Sequence, residues 1–148
     1  MRWLVLGLGL AACSEGFRPS GGALNLGTWG GENAGVIVTD SETHVHIGCT
    51  LGDIPGRITV DGSGRFVVNG SYVLRAFPIQ LGPRLPAQYS GRLSGRTLTL
   101  AVAVNDTTTG QVVALGPVTV QFGRDPQLGP CPICRKPPAG GMAPGTVR

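Results

Sequence analysis

The chain has 148 residues, a formal net charge of +4 and an aromatic content of 5%. Its Lys and Arg residues are spread thinly along the sequence, which argues against nucleic acid as a partner because nucleic-acid surfaces normally cluster their positive charge. The length suits one domain with a single hydrophobic core and argues against two.

The N-terminus has the parts of an export signal. Met1 and Arg2 form a short positive region, and residues 3–10 form an apolar region. About eight apolar residues fall well short of the ~20 that a helix needs to cross a bilayer. Residues 1–12 are therefore predicted to be a signal peptide that is removed on export. The second-ranked interpretation is an ordinary cleaved signal without lipid, and the third is a cytosolic chain.

The end of this segment resembles the lipobox of bacterial lipoproteins, because Cys13 follows the tripeptide Leu-Ala-Ala at positions 10–12. The resemblance implies that Cys13 becomes an acylated N-terminal residue and that the membrane is a partner through this lipid. Two or more acyl chains anchor a protein stably, whereas one holds only marginally. Ser14 in the next position implies that the protein is anchored in the outer membrane and faces the periplasm. The sequence leaves both the inner and the outer membrane open as locations.

Glycine and proline divide the mature chain into a body and two ends. Residues 13–22 contain few core-forming side chains and are expected to form a flexible tether. Residues 135–148 are rich in Pro and Gly and are expected to be a disordered tail. The folded body is expected to span residues 23–134.

Apolar residues in the body recur at every second position between turn signals, which indicates strands. In one such segment Phe66 and Tyr72 share one face, while Asn69 and Ser71 share the other. The predicted fold is all-β, a small antiparallel up-and-down barrel of about eight strands. A curled β-sandwich is the alternative.

Two short segments have the composition of hairpin turns. Residues 61–64 are expected to join a strand over residues 58–60 to the following strand, and Ser94 with Gly95 to join two longer strands. An eight-stranded barrel is only just wide enough to be filled by side chains or to hold one small ligand. We expect a small cavity, because bulky residues fill most of the interior: Phe66, Tyr72, Leu98, Leu100, Val120 and Phe122.

The first strand resembles that of calycin barrels, the lipocalins and avidins. Gly27, Thr28 and Trp29 match the Gly-x-Trp that opens those barrels. The resemblance implies a barrel and an arginine near the end of the last strand that covers the tryptophan, a role for Arg124. Trp29 is the one tryptophan left after cleavage, so the aromatic cage of a biotin site is missing. The resemblance supports a shape and no ligand.

His44 and His46 are candidate metal ligands. Two residues apart on a strand, their side chains leave the same face about 7 Å apart, within reach of one ion. Asp40 and Glu42 continue this face, and a His-x-His pair with a carboxylate would suit zinc. The favoured interpretation is the polar face of a half-buried strand, so no metal and no cofactor are predicted.

The cysteines predict one disulfide. Export places them in an oxidising compartment, and three remain for pairing once Cys13 is acylated. The predicted bridge joins Cys49 to Cys131 and leaves Cys134 as the spare thiol, while pairing of Cys131 with Cys134 is the rival. Which of the two pairs with Cys49 stays open. Residues 131–134 resemble the Cys-Pro-x-Cys centre of glutaredoxins, but a Pro- and Gly-rich tail follows where redox pairs need a helix.

No enzyme is predicted, since the sequence has no Gly-x-Ser-x-Gly elbow and both histidines lie on one strand. Four features resemble small β-rich bacterial lipoproteins: the lipobox, the Trp-Gly-Gly-Glu segment at residues 29–32, a strand that ends in Cys49, and a C-terminal cysteine beyond the last strand. This likeness implies no activity. The leading hypothesis is a non-enzymatic, lipid-anchored cell-envelope protein that acts through binding or structure. The alternatives are a carrier of a small apolar ligand and a metal-binding or thiol-active envelope protein.

Overall fold

The computed structural model of the chain describes residues 21–76 and 82–131. Cys13, the signal peptide, most of the tether, Cys134 and the tail lie outside these residues. Eight antiparallel strands close into a barrel in the order in which they follow one another in the chain, which confirms the predicted up-and-down barrel over the curled sandwich. The strands are β1 Gly27–Gly31, β2 Ala34–Val38, β3 Glu42–Ile47, β4 Thr50–Pro55, β5 Arg65–Val73, β6 Leu85–Ser94, β7 Thr97–Asp106 and β8 Gln111–Phe122.

Within residues 21–76 and 82–131, no helix has the length and the apolar character that a membrane crossing requires.

Side chains at alternate strand positions fill the barrel. The largest fully buried residues are Trp29, Tyr72 and Tyr89. The bulky residues that the sequence predicts as core are buried as well, except for Phe122, which is half-buried and packs against the core. The remaining buried residues include several valines and an isoleucine on β2, β3 and β7, namely Val36, Val38, Val45, Ile47, Val102 and Val104.

Gly52 makes room for two of these aromatic rings. A Cβ atom at Gly52 would lie 2.0 Å from the hydroxyl oxygen of Tyr89 and 2.3 Å from Cδ2 of Tyr72. Each hydroxyl is satisfied inside the barrel: Tyr89 donates to the Ser71 carbonyl at 2.7 Å, and Tyr72 hydrogen-bonds with Thr50 Oγ1 at 2.7 Å. Burial raises the pKa of Tyr72 to about 12 and also raises that of Tyr89. Both phenols are therefore neutral at physiological pH.

Two short segments plug the end of the barrel where β1 begins. The amide of Leu24 donates to the Ile58 carbonyl at 2.8 Å, and the amide of Val60 donates to the Gly22 carbonyl at 3.0 Å. Leu24 and Ile58 are fully buried. Residues 58–60 therefore pair with the N-terminal segment, where the sequence analysis expects them to form a hairpin with β5.

The turn that follows has the expected hairpin chemistry although its first arm pairs elsewhere. The Asp61 carboxylate accepts hydrogen bonds from the amides of Ser63 and Arg65, at 2.8 and 2.9 Å. Gly64 has a φ of +79°, a conformation that glycine adopts without steric cost. The second predicted connection joins β6 to β7 as expected, but its turn lies one residue later, at Gly95 and Arg96, because Ser94 pairs with Thr97 as the last residue of β6.

After β8 the chain crosses the outer face of β1 and β2 as a strap, residues 123–131. Gly30 and Gly35 are directly opposite each other in the β1–β2 pair. A Cβ atom on Gly30 would lie 2.3 Å from the Arg124 carbonyl oxygen, and one on Gly35 would lie 2.7 Å from the Pro126 ring. The glycine pair therefore lets the strap lie directly against the sheet.

The far end of the strap is fastened to two hairpins. The amide of Gln127 donates to the Gly31 carbonyl, and its own carbonyl accepts from the amide of Asn33, both at 2.9 Å. The strap ends at Cys131, which forms a disulfide with Cys49 in the β3–β4 turn, 82 positions earlier in the sequence. The structure thus brings together the cysteine pair that the sequence analysis favours.

Trp29 packs at the position where the barrel closes. Its indole N–H donates to the Asn25 carbonyl at 3.1 Å, and its ring lies 5.0 Å from that of Phe122, the residue opposite it in β8. Arg96 lies 5.5 Å from the Phe122 ring centroid and donates to the Phe122 carbonyl at 2.9 Å. Arg124, which the calycin resemblance places over the tryptophan, is exposed in the strap. The arginine that contacts Phe122, where β8 pairs with β1, is Arg96.

Candidate functional site

Strand β3 presents its two histidines on the outside of the barrel. Thr43, Val45 and Ile47 are buried in the interior, while His44 and His46 between them are half-buried. This alternation matches the polar outer face that the sequence predicts. The two imidazoles therefore lie on the barrel wall and not in its lumen.

The partner of His44 comes from the neighbouring strand. Asp53 of β4 is directly opposite His44, and its carboxylate accepts a hydrogen bond from His44 Nδ1. The second carboxylate oxygen of Asp53 accepts from Arg84, which also donates to Ser71 Oγ at 3.2 Å. Arg84 lies just before β6. These contacts connect β3, β4, β5 and the segment just before β6 through one row of polar side chains. We refer to His44, His46, Asp53 and Arg84 as the histidine cluster.

The two imidazoles of the cluster face each other through their outer nitrogens. The Nε2 atoms of His44 and His46 are 2.9 Å apart, and the rings meet edge to face with their centroids 4.7 Å apart. In the neutral form of His44 that donates from Nδ1 to Asp53, Nε2 carries a lone pair and accepts. The proton in the His44–His46 hydrogen bond therefore belongs to His46.

The charges of the cluster balance one another. Burial raises the pKa of Asp53, but hydrogen bonds from Arg84 and His44 outweigh it, and the net shift is downward. Burial and the neighbouring His44 lower the pKa of His46, with Asp53 opposing them. The Asp53 carboxylate raises the pKa of Arg84. At neutral pH the cluster therefore contains an ionised carboxylate, a guanidinium and a neutral His46.

The carboxylate in this site is not one that the sequence analysis proposed. Glu42 and Asp40, expected to continue the histidine face, are both exposed, and Asp40 lies 4.0 Å from Arg57. Asp53 was missed because it is nine residues away and becomes a neighbour only through the β3–β4 register. Among the residues that the structure describes, no group of three or more His, Cys, Asp or Glu side chains is arranged to hold a metal ion.

A cleft lies beside the cluster, where β4 and β5 separate. Their pairing ends at Asp53 and Ser71, although both strands continue beyond that point. The resulting cleft has a volume of about 580 Å³ and is lined in part by Glu42, Asp53, Asn69 and Ser71. The cluster thus borders solvent on the side of Asp53.

The fold and the site define a small, side-chain-filled β-barrel that carries a histidine cluster on its outer wall. Comparison of the chain with known protein families, curated proteins and solved structures finds no match in any of the three.

Proposed function

We propose that this chain is a non-enzymatic, lipid-anchored protein of the bacterial cell envelope whose barrel acts as a rigid binding or structural module. The observation that carries the proposal is the packed interior. Trp29, Tyr72 and Tyr89 occupy the space that an eight-stranded ligand carrier leaves for its ligand. A barrel filled in this way meets its partners through its outer surface, which disfavours the ligand-carrier alternative.

The histidine cluster supports a role without catalysis. An Asp–His pair also occurs in catalytic triads, where the outer histidine nitrogen faces a serine or cysteine nucleophile. In this protein the outer nitrogen of His44 is hydrogen-bonded to His46. The position that a nucleophile needs is therefore taken by a second imidazole.

The anchor is supported by the tripeptide before Cys13 and by the short stretch of sequence between Cys13 and the barrel. Residues 13–22 would span at most about 35 Å when fully extended. The first paired segment, residues 22–24, lies at the barrel end where β1 begins. A lipid on Cys13 would hold this end of the barrel close to the membrane surface, and Ser14 favours the periplasmic face of the outer membrane.

Metabolic labelling tests the anchor. Cells that express the wild-type chain should incorporate radiolabelled palmitate into the protein, whereas the Cys13→Ala variant should stay unlabelled and be released from membranes by washing. Cys134→Ser is the matched control, because it removes a cysteine that carries no lipid in this account. Equal labelling of the wild-type and Cys13→Ala proteins would overturn the anchor.

A fluorescent apolar probe tests the filled interior. The released Cys13→Ala protein should give no saturable binding of N-phenylnaphthylamine, because the core side chains leave no room for it. One-to-one binding that a fatty acid displaces would favour the carrier instead.

A further inference from the structure

We propose that His44 and His46 form a binding site for a divalent transition-metal ion, with Cu²⁺ bound most tightly, on the outer wall of the barrel. The inference concerns the barrel wall alone and does not depend on the lipid anchor. It rests on the approach of the two Nε2 atoms to 2.9 Å from adjacent outward positions of β3. Neutral imidazole nitrogens are the commonest metal ligands in proteins.

The separation of the nitrogens lets one metal ion reach both of them. Two nitrogens bound at about 2.0 Å in cis positions of a square plane lie about 2.8 Å apart, and tetrahedral coordination places them about 3.3 Å apart. The hydrogen-bonded pair has a separation of 2.9 Å, so small side-chain movements reach either geometry. Tetragonal sites of nitrogen and oxygen ligands are typical of Cu²⁺ and Ni²⁺, and Cu²⁺ is the tighter of the two by the Irving–Williams order.

The surroundings of His44 are those of a metal ligand. Asp53 accepts from Nδ1 of the imidazole and is itself held by Arg84. Histidines that bind metals almost always donate their other N–H to a carboxylate, a carbonyl or a water, which fixes the tautomer and the ring orientation. The Asp53 contact therefore leaves the Nε2 lone pair of His44 available to an ion.

Metal binding replaces the hydrogen bond between the two rings. The Nε2 proton of His46 must leave, and tautomerisation moves it to Nδ1 of the same ring, a buried atom, so that the ring stays neutral and its Nε2 lone pair is exposed. Both imidazoles then bind through Nε2.

The chain supplies two ligands, and solvent supplies the rest. The His44 side chain is 28% exposed, so water can reach an ion held between the rings. A site with two protein donors binds more weakly than a closed site with four and keeps coordination positions for a small exogenous ligand. This makes the site one for exchangeable metal and not for a structural ion.

Titration calorimetry and electron paramagnetic resonance test the site. The probe is Cu²⁺ alone, added to the full chain after chelator treatment and alkylation of free thiols. We expect one equivalent to bind with a tetragonal spectrum that shows nitrogen coupling, and Zn²⁺ to bind at least tenfold more weakly. His44→Gln and His46→Gln should each weaken Cu²⁺ binding more than tenfold, and Asp53→Asn by about 10- to 100-fold.

Glu42→Gln is the matched control, since Glu42 lies on the same strand and face but contributes no ligand. A second readout does not depend on how the variants fold. The chain has only two histidines, so in the wild-type protein sub-stoichiometric Cu²⁺ should broaden the ring proton resonances of both before others. Unchanged binding in both histidine variants, or copper that leaves both histidine resonances sharp, would overturn the proposal.

Discussion

Asp53 lies directly opposite His44 in the β3–β4 ladder, and its carboxylate accepts a hydrogen bond from the Nδ1 atom of that imidazole. The same carboxylate binds Arg84, which comes from the chain just before β6. The Asp53 side chain thus connects the histidine pair on β3 to Arg84, the residue just before β6. Changes at Asp53 should therefore affect stability as well as the metal site.

Replacing Asp53 with asparagine should lower the free energy of unfolding at pH 7 by about 1 kcal/mol, because it removes a partly buried ion pair. The pKa of Asp53 is lowered in the folded protein, so its contribution is present above the unfolded value of 3.8 and is lost as the pH falls through the folded pKa. Urea unfolding at pH 7 and pH 3 measures both effects. Asp40→Asn, at an exposed carboxylate, is the control, and an equal loss in the two variants at pH 7 would contradict this role.

Acidification should destabilise the barrel through His46. Burial and His44 lower the pKa of His46 below its unfolded value of 6.5. The unfolded chain therefore binds the proton more readily, and stability is lost as the pH falls below 6.5. Thermal unfolding at pH 7.5 and pH 5 should show a smaller loss in His46→Gln than in the wild type. A loss of the same size in both would mean that other groups carry the pH dependence.

Gly52→Ala should destabilise the barrel by about 1–3 kcal/mol, or prevent folding, because the new methyl group has no space beside the two core tyrosines. Gly62→Ala is the matched control, since a Cβ atom there meets nothing within 4 Å. Denaturant unfolding of both variants checks the prediction. If Gly52→Ala lowered the free energy of unfolding no more than Gly62→Ala does, the packing described for Tyr72 and Tyr89 would be wrong.

Loss of the bridge between Cys49 and Cys131 should lower stability by about 4 kcal/mol in the chain-entropy model, given the 82-residue separation. The double variant Cys49→Ser/Cys131→Ser, compared with Cys134→Ser in urea unfolding, measures this loss. Non-reducing peptide mapping identifies the pairing itself. Recovery of a peptide that links Cys131 to Cys134 would refute the bridge.

Much of the fold follows from local sequence. Period-2 alternation and turn residues predict the strands, their antiparallel pairing and most of the core. The pairing of residues 58–60 with residues 22–24 is not predictable in this way, because Gly22 and Leu24 show no strand pattern and the contact is long-range. The strap over Gly30 and Gly35 also depends on a distant segment that fills the space left by two glycines.

The candidate site is predictable only in part. Alternation along β3 places His44 and His46 on one face, and the structure agrees. The register between strands decides which carboxylate they meet, and the sequence points to near neighbours of the histidines where the structure supplies Asp53 of β4. Arg84 reaches Asp53 from the end of the connection between β5 and β6, and no local sequence pattern specifies the path of that connection.

The mass of the intact protein extracted from the membranes of its host tests whether the chain is lipid-anchored through Cys13. We expect a chain that begins at Cys13 and carries acyl groups on that residue, with fragmentation placing the added mass on Cys13. A chain that retains Met1, or one in which Cys13 is absent or carries no lipid, would contradict it.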